Sequence, residues 1–477
     1  MVSLPSAVGL GRSRRSFDHF RGAVDAVRAL WFSHGDHVHA QRAAGTAFLI
    51  RIANAAVAFF SQVLLARWMG SHEFGIYVYV WTWLVLVGGV IDFGLGTTAQ
   101  RLVPEYTEAK TSSLLRGFLT GSRWATGLLA SMVAGLGAIA IKLLEPWLSE
   151  FLVLPLYLAC IALPLYGLNV VQDGIARSYN WVMLALLPMY IVRPLMMLGL
   201  ILAAHAAGAS VDAATAMIVA VVATWATAIL QSSALNRRLR GKIERGPKSF
   251  EFGKWVSISL PVFFVTGFYY LLTFMDVLVL QAFRPPSEIA IYFAATKVIA
   301  LVAFIYFSVT VAVAHKFAQY NATGDRDAIA GFLAESIRWT FWPSLAATVV
   351  VLALGEPILG LFGAEYVQGY PLLAILAIGH LARAAVGPVE RLLNMLGEQK
   401  VCAMVYAGAC ALNLIACLVL IPRFGVAGAA MAISLTLVAE SATLFWITKV
   451  RLGYHPFIWD RRKAGHDAGG EPPALRV

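Results

Sequence analysis

The sequence predicts an all-α polytopic membrane protein of about twelve transmembrane helices in two six-helix lobes, and three observations carry that expectation. Of the 477 residues, 59% are hydrophobic and only 13% charged, against about 25% charged in a soluble domain. Apolar runs of about twenty residues, the length of helix that crosses a bilayer, recur along the chain. The second half also repeats the first at an offset of about 214 residues, the mark of duplicated architecture.

Taken in order, the runs cover residues 43–66, 76–99, 117–141, 147–171, 181–204, 213–234, 256–281, 289–314, 332–354, 371–390, 401–421 and 425–448. Ahead of them, residues 1–42 lack an unbroken apolar core and hold five arginines between Arg12 and Arg28, so they read as a basic cytoplasmic tail rather than a signal peptide. Phe17, Phe20, Val24, Val27 and Trp31 recur there at helical spacing, the pattern of a helix lying on anionic lipid.

The N-terminal lobe is expected over 43–234, a basic linker over 235–255, the C-terminal lobe over 256–448 and a cytoplasmic tail over 449–477. The net charge of +11 does not indicate nucleic acid. Only Arg67, Lys142, Arg284 and Arg423 fall on one side of the alternating segments, six cations lie within helices, and the other 27 of the 37 Lys and Arg fall on the opposite side. By the positive-inside rule that side is cytoplasmic, and it holds both termini.

The repeat is carried by matched residues. Glu73-Phe74-Gly75-Ile76-Tyr77 returns as Glu288-Ile289-Ala290-Ile291-Tyr292, Arg123-Trp124 as Arg338-Trp339, and Arg177 and Asn180 as Arg391 and Asn394. Six helices per half give both halves one orientation, a parallel repeat about an axis along the membrane normal. At an offset of 215, the stripe Arg51, Asn54, Ala58 and Ser61 of the first helix aligns with Thr266, Tyr269, Thr273 and Asp276 of the seventh. Spacings of three and four residues put each set on one helix face, either lining a cavity or forming a polar seam.

No phosphate-cradling loop or dinucleotide fingerprint is present. Cys160, Cys402, Cys410 and Cys417 all fall within runs and suggest neither disulfide nor metal. His34-Gly35-Asp36-His37-Val38-His39 has no second cluster to complete a metal site. No catalytic residue, cofactor or metal is expected, and the Asn321-Ala322-Thr323 sequon sits in a cytoplasmic loop.

The chemistry therefore rests on charge inside the membrane, where a lone ionised group costs about 2.5–3.5 kcal/mol on insertion scales. Arg51, Arg123, Arg193, Lys297, Arg338 and Arg383 stand against Asp92, Asp276 and Glu440. At 1.5 Å per residue, Arg123 and Arg338 lie about 9 Å inside their cytoplasmic ends and can snorkel to water. Arg193, followed by Pro194, is near the middle of the fifth helix. Arg51 with Asp92, and Asp276 with Lys297, pair one cation with one anion in each leading helix pair, the first nearer the cytoplasm and the second nearer the outside. Two readings fit: static ion pairs, or cations that receive a polyanionic head group while the acids tune them or carry a coupling ion. Arginine suits a diphosphate through its planar, bidentate fork.

Arg67-Trp68-Met69-Gly70, Phe74-Gly75-Ile76-Tyr77, Asp92-Phe93-Gly94-Leu95-Gly96 and Arg101, with the run from Pro422 to Ala430, resemble polysaccharide-transport flippases of the Wzx type, in the superfamily of multidrug and toxin extruders. The resemblance covers about residues 43 to 448. It implies a MATE-like fold with a cleft walled by helices one, two, seven and eight, and alternating access for a polyprenyl-diphosphate-linked oligosaccharide in the inner (cytoplasmic) membrane. A polysaccharide polymerase and chain-length machinery would be partners. No family motif transfers residue by residue, so the expected cleft set comes from charge and depth: Arg51, Asn54, Arg193, Tyr269, Tyr270, Lys297 and Arg383 toward substrate, with Asp92, Asp276 and Glu440 as ion-pair or coupling groups. An ion-coupled drug or metabolite antiporter shares the fold but calls for an acidic cleft. A polytopic glycosyltransferase or polymerase calls for a large outer loop, which is missing.

Overall fold

The computed structural model describes residues 36–243 and 246–458. The amphipathic segment expected within residues 17–31, Arg245 and residues 459–477 lie outside the described residues, as do the side chains of the histidine-rich segment at 34–39.

Gly70 shapes the first element. The first two apolar runs form one helix, α1 (Asp36–Val90), whose ladder is interrupted at Gly70, with φ +74° and ψ 167°, a backbone state that glycine alone enters freely. The outward and return arms thus meet at a single residue. The return arm ends at 91–94, where Phe93 and Gly94 take φ of +53° and +76°. Asp92 accepts the amides of Gly94 at 3.0 Å and Gly96 at 2.8 Å, and a new helix, α2 (Leu95–Glu108), begins.

The remaining long helices of the first half are α3 (Ser112–Leu144), α4 (Glu150–Ser178), α5 (Val182–Ala206) and α6 (Ala213–Arg240). Residues Pro188–Val192 of α5 form a π-helical turn. Pro194 has no amide to offer the carbonyl of Tyr190, so the turn widens there. The second half comprises α7 (Phe252–Phe283), α8 (Pro286–Thr323), α9 (Arg326–Ala353), the short α10 (Gly355–Gly360), α11 (Tyr370–Val386), α12 (Val389–Met395), α13 (Gln399–Phe424) and α14 (Val426–Ile447). The tenth run, expected unbroken to residue 390, stops at Val386. Gly387, at φ +71°, and Pro388 end α11 because neither continues a helical ladder.

Among the described residues, eleven helical stretches are long and apolar enough to cross a membrane, and the first of them, Ile50–Glu108, holds two of the expected crossings. No strand occurs among the described residues. In the first half α4 packs between α3 and α6, and in the second half α11 packs between α9 and α14, so the repeat read from sequence reappears as matched helix packing. α2 and α4 cross backbone to backbone: a Cβ on Gly174 would stand 2.0 Å from the Gly96 carbonyl oxygen. Gly174→Leu is accordingly expected to yield aggregated rather than monodisperse protein on size-exclusion chromatography, since overpacking at a main-chain contact has no side chain to displace.

The two halves meet at both ends. At one end, Ser71 donates its amide to Glu365 at 2.8 Å, and Phe74 packs on Phe293 and Tyr366. At the opposite end, Thr98 and Ser259 share a hydrogen bond of 2.8 Å. There Tyr106 donates to Glu251 at 2.9 Å and Lys254 pairs with Glu105 at 2.9 Å. Trp255, fully buried, packs edge-on against Phe118.

Candidate functional site

The π-helical turn of α5 delivers Arg193 into the first half, where it is 8% exposed. Its guanidinium lies 5.3 Å from the Trp81 ring and 5.1 Å from the Tyr166 ring, and stacking on two electron-rich faces offsets part of the cost of burial. Nε and Nη1 are buried without a hydrogen-bond acceptor. Among the described residues Arg193 forms no ion pair, so it is a buried fork whose donors await an anion.

Two adjacent glycines frame this pocket. A Cβ on Gly88 would stand 2.4 Å from the Tyr166 ring, and one on Gly89 would stand 2.3 Å from the Tyr270 ring. The bare backbone of α1 therefore seats one tyrosine from α4 and one from α7, joining the halves beside Arg193. Tyr269 does not share this seat. It is 62% exposed, because adjacent residues on a helix diverge by about 100°, so the structure seats only Tyr270 against Gly89.

Arg51, half-buried on α1, lies 5.1 Å from the Phe307 ring of α8. Asp92 is not its partner. The carboxylate is 5% exposed and is spent on the Gly94 and Gly96 amides, so the expected ion pair is replaced by a helix-starting cap. On α4, Asp173 is held bidentate by Arg177 at 2.9 and 2.6 Å. Asn54 is half-buried one turn from Arg51, while Ser61 is buried, its hydroxyl without a partner.

In the second half, Arg383 of α11 stands 3.4 Å from Glu440 of α14 and 4.0 Å from Glu390 of α12, with its guanidinium 4.7 Å from the Tyr306 ring. The Glu440 side chain is 1% exposed. Arg383 is thus a neutralised cation rather than a free one. Removing one member of such a buried pair strands the other charge, at about 3–5 kcal/mol. Arg383→Leu should markedly lower the detergent melting temperature, and adding Glu440→Leu should recover most of that loss; equal melting of wild type and the single variant would deny the pair.

Asp276, 5% exposed, accepts hydrogen bonds from the Tyr292 hydroxyl and, at 2.9 Å, from the Val277 amide. Among the described residues Asp276 and Lys297 form no ion pair; the Lys297 ammonium lies 4.4 Å from the Phe293 ring centroid. The expected contact between Asp276 and Lys297 is therefore absent. A phenol and an amide satisfy the acid in its place.

Helix α8 serves as a depth gauge. A Cβ on Gly75 would touch the Pro286 carbonyl, which sets a common reference level at one end of both halves. Phe307, beside Arg51, is about 31 Å below Pro286, and Lys297 about 16 Å below it. Arg193 lies between Trp81 and the ring seated on Gly88, about 9–20 Å below Gly75. The cations thus occupy two levels along the bundle, Arg51 farther from Pro286 and Arg193 with Lys297 nearer to it. Arg383, beside the Tyr306 ring, sits near the level of Arg51.

Sequence reasoning missed Asp173 and Glu390 as members of the site. The fourth run is expected to end at residue 171, but α4 continues to Ser178, with Asp173 and Arg177 paired to one another. A carboxylate four residues before Arg177 was the available signal. Arg338 is exposed, as snorkelling predicts. Arg123 instead donates sideways, to Asn236 at 2.7 Å and to the Leu119 carbonyl at 2.8 Å.

The family model described as "Polysaccharide biosynthesis protein" matches residues 42–315, and the one described as MatE matches 261–419. The probable low-salt glycan biosynthesis flippase Agl15 of Haloferax volcanii is 25% identical over 188 residues, which cover 39% of this chain and 39% of that protein. The chain thus matches about two fifths of that relative's length. Among solved structures, the lipid II flippase MurJ in an inward closed conformation superposes with a TM-score of 0.69 at 15% identity, covering 85% of this chain and 87% of the other. An inward-facing MATE family multidrug resistance transporter of the MOP superfamily gives 0.70 at 11%, covering 85% and 98%. A MOP superfamily transporter from Pyrococcus furiosus, described as having a binding pocket of reverse polarity, gives 0.60 at 13%, covering 86% and 94%. Such low identities establish the fold, which is MATE-like. With more than half of its length matched by that family model, the chain belongs to the polysaccharide biosynthesis protein family of multi-pass membrane proteins.

Proposed function

We propose that this protein is a flippase that moves a polyprenyl-diphosphate-linked oligosaccharide from the cytoplasmic to the outer leaflet by alternating access of its two lobes. The observation that carries the reading is Arg193, a buried guanidinium with two unsatisfied donors, no acid in contact and two aromatic faces beside it. A diphosphate supplies the paired acceptors that such a fork lacks. Arg51 would meet the head group at the cytoplasmic level, and Arg193 with Lys297 would take it at mid-membrane. Asn54 and Tyr270 would contact sugar, and the lipid chain would remain in the bilayer.

The membrane is the cell inner membrane, with both termini and the basic linker in the cytoplasm, on the strength of the loop charges. Residues 43–234 and 256–448 act as the moving lobes, and the product feeds a polysaccharide polymerase and its chain-length machinery. The Glu440, Glu390 and Arg383 cluster is the coupling element, because protonation of Glu440 would free Arg383. The names of Agl15 and MurJ, flippases for a glycan pathway and for lipid II, support the same class. The MatE match over 261–419 is what an antiporter reading rests on, and binding separates the two. Purified protein should bind a fluorescent polyprenyl-diphosphate oligosaccharide and release it to excess unlabelled diphosphate lipid but not to lipophilic drug cations. Displacement by the cations alone would favour the antiporter.

A further inference from the structure

Helices α3, α4 and α6 enclose a crevice of about 590 Å³. Trp124, 76% exposed, and Leu128, 65% exposed, stand at its mouth. In a multi-pass membrane protein such a mouth opens to lipid. Its polar floor is Arg123, Asn236, Ser232 and Gln172.

The Arg123 partners are neutral, namely the Asn236 side chain and the Leu119 carbonyl, and among the described residues it forms no ion pair. Gln172 is fully buried. Its amide group donates to Ser232 at 2.7 Å, while its Oε1 has no partner. The crevice therefore offers an uncompensated cation and, beside it, an acceptor lacking a hydroxyl. Its depth is fixed by α6, where Arg237, Arg238 and Arg240 follow Asn236 and Arg238 lies 5.4 Å from the Trp181 ring. Cationic side chains with aromatic neighbours mark the head-group level of the cytoplasmic leaflet.

The fold alone does not require this arrangement. At the repeat-related position Arg338 is exposed, and Val386 stands 214 residues after Gln172. The Arg and Gln of the floor are thus not both repeated in the second half.

We infer that this crevice is a binding site for an anionic phospholipid of the cytoplasmic leaflet, with the phosphodiester on Arg123 and a head-group hydroxyl donating to Gln172 Oε1. The occupant is a resident lipid rather than the transported one, because no residue lining the crevice belongs to α1, α7 or α8 and its volume suits a small head group. The inference does not depend on the flippase reading.

Native mass spectrometry of the delipidated full chain, titrated with phosphatidylglycerol and separately with phosphatidylcholine, tests it. Wild type should retain phosphatidylglycerol selectively. Arg123→Gln should weaken that binding about fivefold, the scale of one cation at a membrane surface, and Arg338→Gln should leave it unchanged. Gly127 lines the crevice on a helical turn, with no atom within 4 Å of where its Cβ would be. Gly127→Leu therefore fills the site without stressing the core, and it should also remove the lipid even if Arg123→Gln fails to fold. Equal retention of the two lipids, retention unaffected by Gly127→Leu, or displacement of phosphatidylglycerol by equimolar polyprenyl diphosphate would overturn the inference.

Discussion

Arg193→Ala is expected to reduce transport of a polyprenyl-diphosphate oligosaccharide at least tenfold while leaving membrane insertion and melting temperature near wild type. A hydrogen bond to a charged group contributes about 1.5–3 kcal/mol, and each 1.4 kcal/mol is about tenfold in binding. Stability is spared because Arg193 holds no acid in place. Its loss relieves a buried charge and strands none, the opposite of the outcome at Arg383. Arg193→Lys should give an intermediate rate, since an ammonium keeps the charge but forfeits the fork and the stack on Trp81 and Tyr166. Undiminished transport in Arg193→Ala would remove the residue from the proposed site.

Cross-linking the contact between α2 and α7 should stop transport altogether. The Thr98 and Ser259 hydroxyls are 2.8 Å apart, one on α2 and the other on α7, so the double variant Thr98→Cys with Ser259→Cys places two thiols within reach of a disulfide. The native cysteines are no obstacle, since Cys402, Cys410 and Cys417 are buried and Cys160 is half-buried, all unpaired. Oxidation should abolish transport and reduction should restore it. Full activity in the cross-linked form would show that α2 and α7 need not separate, and rocking of the lobes would then fail as the mechanism.

Architecture was legible because the bilayer enforces it. Helix length, the alternation of basic and poor loops and the repeat from Glu73 to Glu288 each follow from the solvent rather than from particular contacts. The breaks were half legible. Gly70 and Gly387 could be seen as glycines, but only geometry shows them terminating helical arms at positive φ.

Charge pairing was the least legible layer. Depth along a helix places Asp92 near Arg51 yet says nothing of azimuth, and Asp92 turns inward to solvate the start of α2. Asp276 likewise finds a phenol from Tyr292 before it finds Lys297. Glu440 met Arg383 across fifty-odd residues, a pairing no local spacing encodes, while Tyr269 and Tyr270 parted because a helix cannot aim neighbours the same way.

The central claim is that cations at two depths pass a diphosphate head group between leaflets. Leaflet exchange tests it most directly. Protein reconstituted in liposomes with a fluorescent polyprenyl-diphosphate oligosaccharide would be assayed by quenching from outside, with and without a proton or sodium gradient. The account predicts exchange well above empty liposomes, slowed in Arg51→Ala and in Lys297→Ala. Exchange no faster than in empty liposomes, under every gradient and with each glycan carrier tried, would contradict it.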